Sequence, residues 1–268
     1  MKKILLLAAV AMLAATAAKA DFVLNDNVFA DLGATGFGNA PRLLTLQNNP
    51  QENGAVTSVG GTTTFLNNIT VGPAPAFTVS GTVCTSNGTC TTGLRTGANE
   101  SILVNVTPLW TSGAQVGVGL DTNQIGSTGA LLFSELVLNI YSSTGTLLGT
   151  FGGNDPVLIS EAQLALQQGN GNSVFNLGLT LAEQAEFNTL LASLSAGQQI
   201  FAGLAAELGC TPAPCIGASN DGADSFLAFR QSAVLTPIPA TVWLFGGGLA
   251  GIAALTRRRK KLSATQAA

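Results

Sequence analysis

The chain has 268 residues, of which 46% are hydrophobic and only 9% charged, and it contains no histidine; an ordinary soluble protein carries roughly 25% charged residues. Without imidazole there is no Ser-His-Asp or Cys-His triad, no His-ligated zinc or haem, and no histidine pH switch. Charge is also segregated: residues 21–236 hold three arginines (Arg42, Arg95, Arg230), no lysine and all fourteen carboxylates, a formal charge of −11, and such a body repels nucleic acid.

The N-terminus reads as a secretory signal peptide over residues 1–20. Lys2 and Lys3 precede fifteen apolar or small residues, Ile4 to Ala18, and Ala18-Lys19-Ala20 forms an A-x-A cleavage site. The mature chain then begins at Asp21. The alternative, an uncleaved anchor, asks a short core to cross a bilayer that needs about 20 residues.

Residues 21–235 form the exported body. The first part, to about residue 150, reads as β structure. TTTFLNNITV (62–71) and PAFTVSGTVC (75–84) are strand-like, and SILVNVTPLW (101–110) carries a β-branched run. ALLFSELVLNIYSSTGTLLGTF (130–151) predicts a hairpin, with alternating Leu136, Leu138 and Ile140 and a turn at Ser142-Ser143-Thr144-Gly145. SFLAFR (225–230) predicts a last strand. Short strands separated by Gly, Asn, Thr and Pro turns suggest a β-sandwich or jelly roll. The alternative is a loose, low-complexity surface chain, against which Phe65, Phe77, Phe133 and Phe151 argue for a core.

From about 160 to 208 the period changes to a helical one. Ser160 precedes EAQLALQQ, a short helix. Thr180-Leu181-Ala182-Glu183 is a capping box, in which the two side chains satisfy each other's backbone donors. The helix that follows sets Phe187, Leu190, Leu191 and Leu194 on one face, a pattern of core packing. After Ser195-Ala196-Gly197, the run QQIFAGLAAEL predicts a further helix stopped at Gly209. The fold class is therefore mainly β with a helical insertion.

Four cysteines fall as two close pairs, Cys84 with Cys90 and Cys210 with Cys215. Local disulfides fit an oxidising compartment, with Asn87-Gly88 marking a hairpin turn inside the first loop. A four-thiolate metal site is the alternative, but the spacings C-x5-C and C-x4-C depart from the usual knuckle. Asp121-Thr122-Asn123 and Asn220-Asp221-Gly222-Ala223-Asp224-Ser225 cluster oxygens of the kind calcium uses, yet match no EF-hand loop or nonapeptide repeat, and turns are the simpler reading. Glu100, Glu135, Glu161, Glu183 and Glu186 offer carboxylates for a glycosidase pair, with no pairing evident. Neither a catalytic residue, a metal site nor a cofactor is assigned.

The C-terminus, 236–261, is distinct. Pro237-Ile238-Pro239 precedes the uncharged run ATVWLFGGGLAGIAALT (240–256), and Arg257, Arg258, Arg259, Lys260 and Lys261 follow. Seventeen residues make a helix of about 25 Å, short but sufficient for a bilayer span. Five cations hold its far end in the cytoplasm. A buried core helix with a basic tail is the alternative, and the lack of a polar stripe argues against it.

These residues resemble the PEP-CTERM sorting domain: a Pro-x-Pro element, an apolar helix containing VWLFGGGL, and an Arg-rich cluster close to the chain end. The usual residue between the prolines is Glu, and here it is Ile238. The resemblance covers about 25 residues and implies a Gram-negative bacterium that makes exopolysaccharide. It further implies recognition by an exosortase, a membrane-embedded cysteine transpeptidase-like enzyme, with transient residence in the inner membrane. Removal of the tail and delivery to the cell surface or extracellular matrix follow. The resemblance is silent on the body. The expected function is that of a non-enzymatic surface or biofilm matrix protein associated with exopolysaccharide. The alternatives are a carbohydrate-binding or adhesive module anchored in the membrane and a secreted carboxylate-based hydrolase.

Overall fold

The computed structural model describes residues 22–24, 30–31, 40–47, 51–71, 79–84, 94–96, 100–122, 130–153, 157–166, 173–209 and 223–231. Its first strands are β1 (Val23–Leu24), β2 (Ala30–Asp31), β3 (Arg42–Leu46), β4 (Gln51–Val59), β5 (Thr62–Val71), β6 (Val79–Cys84) and β7 (Val104–Asn105). They are followed by β8 (Val116–Asp121), β9 (Leu131–Ser142), β10 (Leu147–Gly153), β11 (Val157–Ile159), helix α1 (Glu161–Leu166), β12 (Ser173–Gly178), helix α2 (Leu181–Ser193), β13 (Ile200–Gly209) and β14 (Asp224–Arg230). The body is thus mainly β, with few helices, as the turn-rich sequence predicts.

Among the described residues the strands form two sheets with antiparallel pairing. The smaller runs β1-β12-β8-β14-β3, with β2 added on β12; the larger runs β10-β9-β13-β4-β5-β6, with β11 on β9 and β7 on β13. Alternation explains the layering. Val116, Val118 and Leu120 of β8, Phe226 and Ala228 of β14, and Leu136, Leu138, Ile140, Leu204, Ala206 and Leu208 of the larger sheet share one buried cluster. The Phe133 ring of β9 lies 6.0 Å from that of Phe226 on β14, one contact between the sheets. The large sheet also carries a second, smaller apolar cluster of Ala55, Ile69, Val137 and Ala205, on the alternate residues that face away from the main core.

Two tips of the large sheet meet. The β9–β10 turn has Gly145 at φ 82°, where a Cβ would lie 2.2 Å from the Gly61 nitrogen in the β4–β5 turn. Only a residue without a side chain takes that conformation at that approach.

Helix α2 begins as its capping box predicts. Thr180 is the N-cap, and its hydroxyl accepts from the Glu183 backbone N–H at 3.4 Å. The Thr180 N–H donates back to the Glu183 carboxylate. Phe187 is fully buried, edge-on to Trp110 at 6.3 Å and tilted against Phe151 at 5.3 Å. Leu190, Leu191 and Leu194 are half-buried against the same core. The expectation of a core-packing face holds.

The run QQIFAGLAAEL is a correction. Residues 200–209 form β13, a central strand of the large sheet, and 173–178 form β12, so the helices expected over about 160–208 are confined to α1 and α2. Ala and Leu favour helix in isolation. Here, however, β13 is laddered to β9 along one edge and to β4 and β7 along the other. Small side chains suit its crowded middle: a Cβ on Gly203 would sit 2.3 Å from the Val56 carbonyl oxygen.

The chain enters and leaves the small sheet on one rung. Val23 pairs with Gly178, Gly178 with Gly117, and Gly117 with Phe229. Strand β14 is held between β8 and β3, and beyond it the Gln231 N–H donates to the Gln115 carbonyl at 3.0 Å. The Arg230 guanidinium donates to the carbonyls of Leu109 and Pro108 at 2.9 and 2.8 Å.

Candidate functional site

The predicted processing residues lie outside the described residues: Ala18, Ala20 and Asp21 at one end, Pro237, Ile238, Pro239, Arg257, Arg258, Arg259, Lys260 and Lys261 at the other. So does the predicted span 240–256; among the described residues no helix is long and apolar enough to cross a membrane. Of the four cysteines, Cys84 is described. It ends β6, stands opposite Phe65 of β5 and is disulfide-bonded. Cys90, Cys210 and Cys215 lie outside the described residues.

The topology brings the two aspartate-rich segments together. Asp121 ends β8 and Ser225 is the second residue of β14, and the two are register partners; Asp224, which begins β14, pairs with Leu46 of β3. Asp224 is fully buried. Burial pushes the Asp121 carboxyl up to about 6, against the opposing pull of the Arg42 guanidinium. The Ser225 and Thr45 hydroxyls lie 3.2 Å apart, and the Ser101 hydroxyl accepts from the Thr45 N–H at 3.0 Å. This is a hydrogen-bonded seam along a strand end. Asn123, Asn220, Asp221 and Gly222 lie outside the described residues.

A second acidic site lies on the outward face of the large sheet. Glu207 of β13 is register partner to Glu135 of β9 on one side and to Asn53 of β4 on the other. Directly opposed residues of neighbouring strands share a face, so the three form one polar rung. Gln51 donates from Nε2 to Glu207 Oε1 at 2.5 Å. Glu135 Oε2 and Asn53 Oδ1 are buried without a hydrogen-bond partner among the described residues. Burial, followed by the negative charge of Glu207, pushes the Glu135 carboxyl up to about 7. Burial and this neighbouring charge let Glu135 hold a proton near neutrality. Among the described residues no group of three or more His, Cys, Asp or Glu side chains is arranged to hold a metal ion.

The other glutamates read from the sequence serve local structure or lie on helix surfaces. Glu100 takes the Arg95 guanidinium at 2.7 Å. Glu183 is buried; besides its capping role its Oε1 accepts the Gly152 N–H at 2.6 Å, tying α2 to β10. Burial raises its pKa in spite of these donors. Glu161 and Glu186 are exposed on α1 and α2. Glu207 escaped the sequence reading because its segment reads as helix; the alternation Phe201, Gly203, Ala205, Glu207 was the strand signal available. The body's large amphipathic rings are both inside. Trp110 is 1% exposed and donates from Nε1 to the Phe229 carbonyl at 2.8 Å. Tyr141 is 5% exposed, its hydroxyl bonded by the Ser58 N–H and the Asn139 side chain. No protein family, curated protein or solved structure matches the chain.

Proposed function

We propose that this chain is an exported, non-enzymatic surface or extracellular-matrix protein of a Gram-negative bacterium. In this reading its body is a β-sandwich of jelly-roll type. A cleaved signal peptide delivers it, and an exosortase processes its C-terminus while the apolar helix 240–256 rests in the inner membrane. The observation that carries the reading is the order of the tail, Pro237-Ile238-Pro239, an uncharged run, then Arg257 to Lys261, behind an N-terminal export signal. The prolines fix φ and lack N–H donors, so the helix stops at them and the segment outside the membrane stays extended for the enzyme. The cations oppose outward transfer. An acidic body with two packed sheets, associated with exopolysaccharide, is the cargo.

Intact-mass analysis of surface and medium fractions from the native host, with and without its exosortase, tests this. The expected product starts at Asp21 and ends near Pro237–Ala240. An exported product that keeps 240–268, or release unchanged without the enzyme, replaces the sorting signal by a permanent anchor. The Glu135–Glu207 pair favours one second reading, a carboxylate-based hydrolase, because a proton held near pH 7 beside a second carboxylate suits acid catalysis. Turnover of a glycoside that disappears in both Glu135→Gln and Glu207→Gln would support it. The buried Trp110 and Tyr141 leave the carbohydrate-stacking reading without exposed large rings in the described body.

A further inference from the structure

A chain of contacts gathers several loops at one end of the body. Arg230, the last residue of β14, donates to the carbonyls of Pro108 and Leu109. Val106 donates to the carbonyl of Ile200, the first residue of β13, and the Thr107 hydroxyl accepts from the Ile200 N–H. Ile200 pairs with Ser142, and the turn after Ser142 meets Gly61 in the β4–β5 turn. The described body also ends here, at Gln231.

Charge is polarised along the strands. The segments that build this end, 57–66, 102–119, 136–151, 187–203 and 225–230, contain one charged residue, the exposed Arg230. Carboxylates gather at the other end. Asp224 begins β14, whose seven residues span about 20 Å, and Asp121 lies in register beside it. In the large sheet Glu135 follows Phe133, whose ring meets Phe226; Glu207 pairs with Glu135, and Leu208 with Glu52. Helix α2 keeps the same polarity, since Glu183 bonds Gly152 while Leu190 packs over Gly149, nearer the β9–β10 turn. At the two turns that meet at the uncharged end, Val59 is 66% and Leu147 53% exposed, beside the exposed hydroxyls of Ser143, Thr144 and Thr146.

We infer that this uncharged end is a membrane-contact face, which rests on the phospholipid headgroups of the bilayer that holds the tail before cleavage. The inference builds on the proposed residence of 240–256 in the inner membrane. Residues 232–239 alone join Gln231 to that span, and eight residues reach at most about 29 Å. So short a tether presents the Arg230 end to the headgroups. A body of −11 is repelled by anionic lipid, but at physiological ionic strength the screening length is only ~8 Å. The carboxylates at the far end of β14 stand about 20 Å back, beyond its reach. Arg230 and the turn hydroxyls offer donors to phosphate oxygens, and Val59 and Leu147 enter the interfacial layer. The contact is weak by itself, and the tether supplies the effective concentration that maintains it.

The test uses the full-length chain with its tail intact, from a host without its exosortase, reconstituted into vesicles of phosphatidylcholine and phosphatidylglycerol in equal parts. The photo-crosslinker benzoylphenylalanine is introduced at Val59 or Leu147. The control is Leu158, 49% exposed and paired with Leu132 near the acidic end. The layer a side chain enters is only ~5–10 Å deep, so lipid adducts at Val59 and Leu147 should exceed those at Leu158 at least ~10-fold. A circular dichroism spectrum matching the wild type shows that each variant is folded, and Thr144 replaces either position where it is not. A chain that alkaline carbonate strips from the vesicles lacks the span, and then the functional reading and this inference fall together. A chain that resists extraction yet gives equal adducts at the near and far positions, no lipid adduct at all, or adducts only to a second copy leaves the span standing and overturns the membrane-contact face alone.

Discussion

Glu135 keeps a proton that an exposed glutamate gives up, because its site is half-buried and Glu207 stands on the neighbouring strand. Its folded pKa of about 7 exceeds the unfolded value of 4.5. Between these values the folded protein binds more protons than the unfolded chain. The stability present below the lower value is therefore lost as pH rises through the upper one. Asp121 acts in the same direction between 3.8 and about 6. We expect the thermal midpoint to fall from pH 5 to pH 8, and Glu135→Gln to flatten that fall. At pH 8 the substitution should gain on the order of 1 kcal/mol, about 2–4 °C in Tm, with little change at pH 4. An unaltered pH profile in that variant would contradict the assignment. At Trp110 the expected sign is opposite. Trp110→Phe keeps a ring against Phe187 but removes the indole N–H from the Phe229 carbonyl. The cost should be about 1–3 kcal/mol, read as a lower urea midpoint with unchanged slope.

Strand β13 shows what local sequence conveys about an element and what it does not. Helix α2 was legible because its determinants are local: Thr180 and Glu183 cap within three residues, and Phe187, Leu190, Leu191 and Leu194 recur at helical spacing. The β9–β10 hairpin was legible for the same reason, its turn lying between two alternating runs. The identity of β13 is set by partners far away in sequence, β4 about 150 residues earlier and β9 about 65 earlier. Ala and Leu alone point to helix, and the ladder overrides them. The Glu135–Glu207 rung was hidden with it, since a residue assigned to a helix has no cross-strand partner. The calcium-like aspartate segments were visible, but the register joining Asp121 to Ser225 was not. Gly203 provides the element-level test. A Cβ there meets the Val56 carbonyl at 2.3 Å, and backbone cannot yield as a side-chain tip can. Gly203→Ala should cost about 1–3 kcal/mol or more; a neutral result would mean that β4 and β13 are less tightly joined.

At the scale of the molecule, covalent and terminal features decide behaviour. Cys84 is disulfide-bonded, and we expect local pairing with Cys90 and a second bridge from Cys210 to Cys215. Non-reducing peptide mapping should return both, and reduction should cost about 2–3 kcal/mol per bridge. A peptide joining Cys84 to Cys210 or Cys215 would overturn local pairing. The rung through Val23, Gly178, Gly117 and Phe229 has a mechanical consequence. Three interstrand steps of about 4.8 Å put the points of chain entry and exit roughly 14 Å apart on one sheet. They are not equally fastened. Entry depends on a two-residue ladder, Val23 and Leu24 against β12. Exit follows a strand paired with β8 and, over its first half, with β3; Arg230 at its end and Gln231 beyond it are further bonded. A pull applied through the C-terminal end meets the six-pair ladder to β8 first and the ladder to β3 further along the strand, whereas a pull at the N-terminal end peels two residue pairs. Tension borne at the tail side therefore reaches the part of the body built to withstand it.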